Sequence, residues 1–498
     1  MRRGAVLGAE TRRQTRATSV FTTEWLGHPS LNAPHYWNIE DLDETVTLVT
    51  NARIELNPQR FCRNNIDRTM TTNIPRRTFL SNTAFGVAAL GTMTARRFAL
   101  GQDAAAAKSG APVTARDYLK SILYTKAEVT QWLAENAFPF AKYSSGFGWL
   151  LRNARFQDGV GGSTSVYTYG PLDERITIHY KDQPCRLNTY GNSYTQCHQV
   201  SDGETWQEVL AAHLQEPVRN FGVGGWSVYQ AYLRMIKEEK LAPAELIIFN
   251  IYDDDHFRNL DSWRNIRVPK HERFIEPTLP YVAVNVKEGR FEERPNICPT
   301  PESVYNLCNL DWVAETFQDD FALKIMLAHL NAKTKNPELS YADILKLATT
   351  HGIVTRIDTA EGLSQTADAL HHQSAYFASQ RIVKKIAVFA KSQNKKVLFV
   401  LSYPPKSVLR FVKEGVRADQ PFVDFMKQRA LPVVDLMKAH VDDFALFKGD
   451  IKDYLAKHWI GHYNPLGNHF CANAILPQLV ELLDPKPQPY CAGSAIMK

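Results

Sequence analysis

Lysine is missing from the long N-terminal stretch: none precedes Lys108, although arginines are frequent there. Other absences narrow the field further. No run of lysine and arginine is dense, and a formal charge of +6 over 498 residues is modest. Nothing therefore argues for nucleic acid or a membrane surface as partner. No Cys-x-x-Cys pair or His/Cys cluster is present, which argues against structural zinc. No cofactor is implied, and no internal repeat is evident. The best apolar run, Phe79 to about Ala95, is too short and too rich in Gly, Ser and Thr for a confident membrane span. What remains, 44% hydrophobic and 22% charged residues, is the composition of an ordinary globular protein. The length allows two or more domains.

The N-terminal stretch has its own logic. Pro75-Arg76-Arg77-Thr78-Phe79-Leu80 opens the apolar run, and Ala104 to Ala107 follow it. Paired arginines, a weakly hydrophobic segment and small residues are the order of a twin-arginine export signal. The competing reading is an arginine pair before a buried helix. Export signals stand at the N-terminus, and Met70 lies just before the pair. Translation is therefore expected to begin at Met70, with residues 1–69 an over-long gene start and 70–107 the signal. The alternative is a genuine extra N-terminal segment. On the export reading, the Tat machinery is a partner, the mature protein is periplasmic or secreted, and it keeps no stable membrane span. Of seven cysteines, Cys62 falls in the leader; Cys185, Cys197, Cys298, Cys308, Cys471 and Cys491 remain. An even number in an exported protein permits disulfides. Cys298 and Cys308, which bracket a Pro-rich loop, are the best local pair, with free buried thiols as the alternative.

Residues 108–135 predict a short amphipathic helix, and 136–183 a small β region feeding the main sheet, including the alternation Arg175–Tyr180. A regular alternation follows. Strand-like runs occur at Cys185–Tyr190, Val218–Phe221, Leu246–Tyr252, Lys396–Tyr403 and Leu431–Leu436. Helical patterns lie between them at Thr205–Leu214, Tyr229–Lys237, Gln373–Lys391 and Phe422–Arg429, and a helix at Ala472–Leu483 closes the chain. Strands alternating with helices predict an α/β fold, with a parallel sheet covered on both faces. Ligands of such sheets bind at the carboxyl ends of the strands. Residues 260–345, Pro-rich and aromatic and then helical around Leu310–Ala332, are expected to be an insertion that covers or shapes the site. The main domain is then 184–490.

Two segments carry chemistry. In Thr189-Tyr190-Gly191-Asn192-Ser193-Tyr194-Thr195 a serine follows a strand at the mouth of a helix. In Gly461-His462-Tyr463-Asn464-Pro465 a histidine sits in a short loop before the last helix. A serine hydroxyl becomes a useful nucleophile only when a base within hydrogen-bond reach takes its proton. With Asn220-Phe221-Gly222-Val223-Gly224-Gly225 and the acidic run Asp253-Asp254-Asp255, the chain resembles the SGNH/GDSL hydrolase family over roughly residues 185–260 and 380–485.

That resemblance implies a flavodoxin-like α/β/α sandwich with a five-stranded parallel sheet. It puts Ser193 at the nucleophile position, His462 at the base position, and Ser193 and Gly225 at the oxyanion donors. The family's Asp before the serine is Asn192 here. The family's oxyanion Asn falls on Asp254. An ionised carboxylate cannot donate, so either Asp254 is protonated or Asn250, His256 or Asn259 donates instead; a metal held by the acidic run, with Asp255, is another option. The Asp that usually supports the base falls on Trp459, leaving Asp450, Asp453, a backbone carbonyl or no acid at all. His458 and His469 are expected to have no role. The implied activity is an exported serine esterase acting on acetyl or other short acyl esters, with a small-molecule or glycan ester as substrate. Trp226, Tyr229, Trp263 and Tyr281 are candidates for stacking on sugar rings. An O-acyltransferase and a non-catalytic carbohydrate-binding protein are the alternatives.

Overall fold

The computed structural model describes residues 113–134, 140–269, 275–334 and 336–491. The leader and the arginine-pair signal lie outside them. The central sheet has five strands: β1 (Leu187–Tyr190), β2 (Arg219–Asn220), β3 (Leu246–Tyr252), β4 (Lys396–Ser402) and β5 (Val433–Asp435). Their order is β5-β4-β3-β1-β2, and every pairing is parallel. This is the doubly wound order in which chain reversal beside β1 leaves a crevice at the strand ends. β3 is buried along nearly its whole length, as expected for a strand covered on both faces.

Helices cover both faces. α1 (Ser193–Gln196) is a single turn directly after β1. α2 (Trp206–Leu214) packs against the last helix, and α3 (Val228–Leu241) packs against the long helix Ala360–Ser392. The starts are written in the sequence. Thr205 accepts from the Glu208 N–H to cap α2, and Ser227 with Gln230 forms a reciprocal capping box on α3. At the far end Asn464 caps the closing helix (Pro465–Leu482), with Pro465 in the first turn, where a missing N–H costs nothing. The result is a three-layer α/β/α sandwich.

Several expected boundaries move. The helix expected over 108–135 is two short ones, Ala115–Ile122 and Lys126–Leu133, because Thr125 starts a new capping box with Glu128. The small β region does not feed the main sheet. It forms two antiparallel hairpins, Ala141–Ser144 with Gly148–Leu151 and Ala154–Phe156 with Ser165–Tyr167. The alternation after Arg175 is irregular; only Arg175 itself bridges to Asn220 at the sheet edge. The long helix starts at Ala360 rather than 373, and the closing helix at Pro465 rather than 472.

A second hydrophobic cluster joins the N-terminal helices and hairpins to the segment after β3. It includes Trp132, Trp149, Trp226 and Trp263, all fully buried. Burial decides two expectations. Trp226, Trp263 and Tyr229 are core residues and offer no face to a sugar. All six cysteines among the described residues are free, Cys298 and Cys308 included; Cys298 is spent filling this second core. Among the described residues no helix is long and apolar enough to cross a membrane.

Candidate active site

Ser193 is the first residue of α1, and its neighbours hold that turn rigidly. The Asn192 Oδ1 accepts from the Tyr194 N–H at 2.7 Å, capping the turn. Cys197 closes it in a left-handed conformation, φ 60°. The Trp206 indole donates to the Tyr194 carbonyl at 2.9 Å, and the Gln207 amide donates to the Thr195 carbonyl at 2.8 Å. These bonds use the turn's own carbonyls and leave the Ser193 N–H outside the helix ladder, as for any first-turn amide.

His462 lies on a tight loop closed by the Trp459–Tyr463 bridge and by the Ile460 N–H on the His462 carbonyl, 2.9 Å. The Tyr463 hydroxyl bonds to buried His440 at 2.7 Å, and Asn464 donates to the Lys457 carbonyl. The structure brings the two expected residues together: His462 Nε2 lies 2.8 Å from Ser193 Oγ, across 269 residues of chain.

Residues expected to support His462 do not. Asp450 caps the helix Ile451–His458 by accepting from the Lys452 and Asp453 N–H groups, and Asp453 is exposed. The acceptor found at Nδ1 is Gln199. Its Oε1 lies 3.2 Å from His462 Nδ1 and accepts from the His462 backbone N–H at 2.7 Å. No local pattern ties Gln199 to His462, since the contact spans 263 residues.

The expected oxyanion loop lies against the serine. A Cβ placed on Gly224 would stand 3.7 Å from the Ser193 Cβ. Gly225 has φ 81° and leaves no comfortable space for a side chain, since its Cβ would come within 3.1 Å of the Trp149 ring. Side chains fix the peptides on either side. The Trp149 indole donates to the Gly224 carbonyl at 3.0 Å, and Arg264 donates to the Gly225 carbonyl at 2.9 Å. Arg258 donates to the next carbonyl, Trp226, at 3.2 Å. A trans peptide sets its N–H opposite its C=O, so Trp149 turns the Gly225 N–H away from itself.

Asp254 is not a donor. Burial favours its neutral form, but Arg267 and Arg258 together win and hold the carboxyl well below the usual range. The ion pairs measure 2.9 Å to Arg267 and 2.8 Å to Arg258. Asp254 is thus an ionised counter-ion. The other proposed donors have partners of their own. Asn250 accepts from Ser402 on β4, His256 bonds to Ser379, and Asn259 accepts from the Tyr229 N–H while donating to Ser379. Asp255 accepts from the Asn192 amide, from the Tyr252 N–H at 3.0 Å and from Arg258 at 2.8 Å. Its burial pushes its pKa up to about 7 against the pull of Arg258 and those hydrogen bonds. Among the described residues no three His, Cys, Asp or Glu side chains converge as a metal-binding group. His469 is exposed and bonds only to Asn473, and His458 bonds to the Tyr454 carbonyl.

No family model matches the chain, and no curated protein does either. Among solved structures it matches one described as a lipolytic protein of the G-D-S-L family from Desulfitobacterium hafniense DCB-2. Identity is 14%, the TM-score 0.14, and the match covers 43% of this chain and 75% of that one.

Proposed function

We propose that this protein is a serine esterase that hydrolyses carboxylic esters through an acyl-enzyme. The observation that carries the proposal is the 2.8 Å contact between Ser193 Oγ and His462 Nε2 at the carboxyl end of β1. His462 takes the Ser193 proton as Oγ bonds to the ester carbonyl carbon. The carbonyl oxygen becomes an oxyanion, held by the Ser193 and Gly225 N–H groups. The C–O bond to the alcohol then breaks, and His462 returns the proton to the leaving oxygen. Water, deprotonated by His462, attacks the acyl carbon; the acyl–Oγ bond breaks, His462 returns the proton to Ser193 Oγ, and the acid is freed. Each oxyanion donor of this kind contributes ~100-fold or more.

Acetyl and other short acyl esters are the substrates we favour, and an exported location goes with them. Export rests on the arginine pair and its apolar run alone. A glycan alcohol keeps less support, since three of the four aromatic candidates are buried. Ser193→Ala is expected to lower turnover of an aryl acetate by at least ~1000-fold. Undiminished activity in that variant ends the proposal. Adding a sugar acceptor and analysing products separates hydrolysis from acyl transfer.

A further inference from the structure

We infer that Gln199 is the positioning residue of His462, completing a Ser193–His462–Gln199 relay in which a neutral amide stands where a carboxylate usually does. The inference rests on the esterase reading and adds to it.

The orientation of the Gln199 amide is determined by its surroundings. Its Nε2 donates to two backbone carbonyls, Ile460 at 3.1 Å and Asp158 at 3.2 Å. An amide NH₂ can only donate and its oxygen only accept, so Oε1 is committed to the opposite side, where it meets the His462 N–H and Nδ1. An acceptor at Nδ1 keeps the proton there and leaves the Nε2 lone pair for the Ser193 hydroxyl. This is the tautomer that a general base requires. The backbone around Gln199 is built for the contact. Gln199 has φ 72°, and its N–H donates to the Tyr167 hydroxyl at 2.7 Å. On the other side Gly461 has φ 121°, and a Cβ there would press to 2.6 Å from Gln199 Oε1. Gln199 holds a left-handed backbone that a non-glycine residue adopts uncommonly, and the glycine at 461 leaves the room the contact needs. A Glu at 199 would turn an oxygen toward the Ile460 and Asp158 carbonyls, which favours an amide over an acid at this position.

Other titratable groups face His462. Tyr194 on α1 lies at 5.1 Å and His198 at 5.0 Å between ring centroids, with the Asp158 carboxylate 3.4 Å beyond His198. Tyr167 stacks on His198, and Tyr463 on the loop itself is engaged by His440. The acceptor at Nδ1 itself is the Gln199 oxygen.

The test compares wild type, Ser193→Ala, Gln199→Met and Gln199→Glu on an aryl acetate, with folding checked by circular dichroism. Gln199→Met keeps the volume and removes the acceptor; kcat is expected to fall ~10-fold or more with KM within about threefold. Gln199→Glu places a negative charge beside the imidazole, which favours the imidazolium, so the acid limb of kcat/KM should move up by about one pH unit relative to wild type. An unchanged kcat in Gln199→Met overturns the inference. If that variant does not fold, an unmoved acid limb in Gln199→Glu overturns it instead. Activity that survives in Ser193→Ala sinks the esterase reading itself, a different outcome from either.

Discussion

At the scale of single residues, Asn192 shows how an amide can be the stabilising choice beside a buried carboxyl. Its oxygen caps α1 and its nitrogen donates to Asp255, which is buried. An Asp in its place would set two carboxylates together, and like charges at such range cannot both ionise cheaply. Asn192→Asp is therefore expected to cost about 1–3 kcal/mol at pH 8. The variant's added acid has a raised folded-state pKa. Its contribution is intact at low pH and lost as pH rises through that pKa. Thermal unfolding at pH 5 and pH 8 should show the larger deficit at pH 8; an equal deficit refutes the account. Ser193 and His462 were legible because each sits in a short turn with its own signature. Gln199 was not, because nothing near it in the chain announces a partner beside the last helix.

At the scale of elements, the acidic run follows β3, and its arginine partners are what the sequence leaves open. Strand alignment gives a residue's place but not its partner. Asp254 and Arg258 stand four apart in a helical turn, a spacing that favours an ion pair, so part of the answer was in the sequence. Arg267 was not readable there, being brought in by the following turn. Two of the three arginines that Asp254, Asp255 and Asp261 neutralise hold loop carbonyls: Arg258 that of Trp226, and Arg264 that of Gly225. Asp254→Asn is accordingly expected to lower esterase turnover and to cost about 2 kcal/mol, since two half-buried guanidinium groups lose a shared counter-ion while each keeps a second one. Denaturant unfolding alongside steady-state rates measures both. A faster enzyme would mean that position 254 merely lacks a donor and that the bracing argument fails.

At the scale of the whole molecule, the sandwich was predictable from the alternation of strands and helices, and its order follows from few allowed topologies. The hairpin region was harder. Its short strands pair locally, and their link to the site appears only when Trp149 reaches the Gly224 carbonyl. Trp149→Phe keeps a ring in the second core and removes the indole donor. It is expected to lower kcat about tenfold, a fraction of what losing an oxyanion donor costs, with KM little changed. A kcat equal to wild type would show that Gly225 is oriented without Trp149.

Ser193 and His462 are separated by 269 residues. On the proposed mechanism, a ribosome must pass His462 before the Ser193 hydroxyl can be activated. Copies whose last loop has not docked would then be chemically silent, and a covalent serine probe would count only those in which it has.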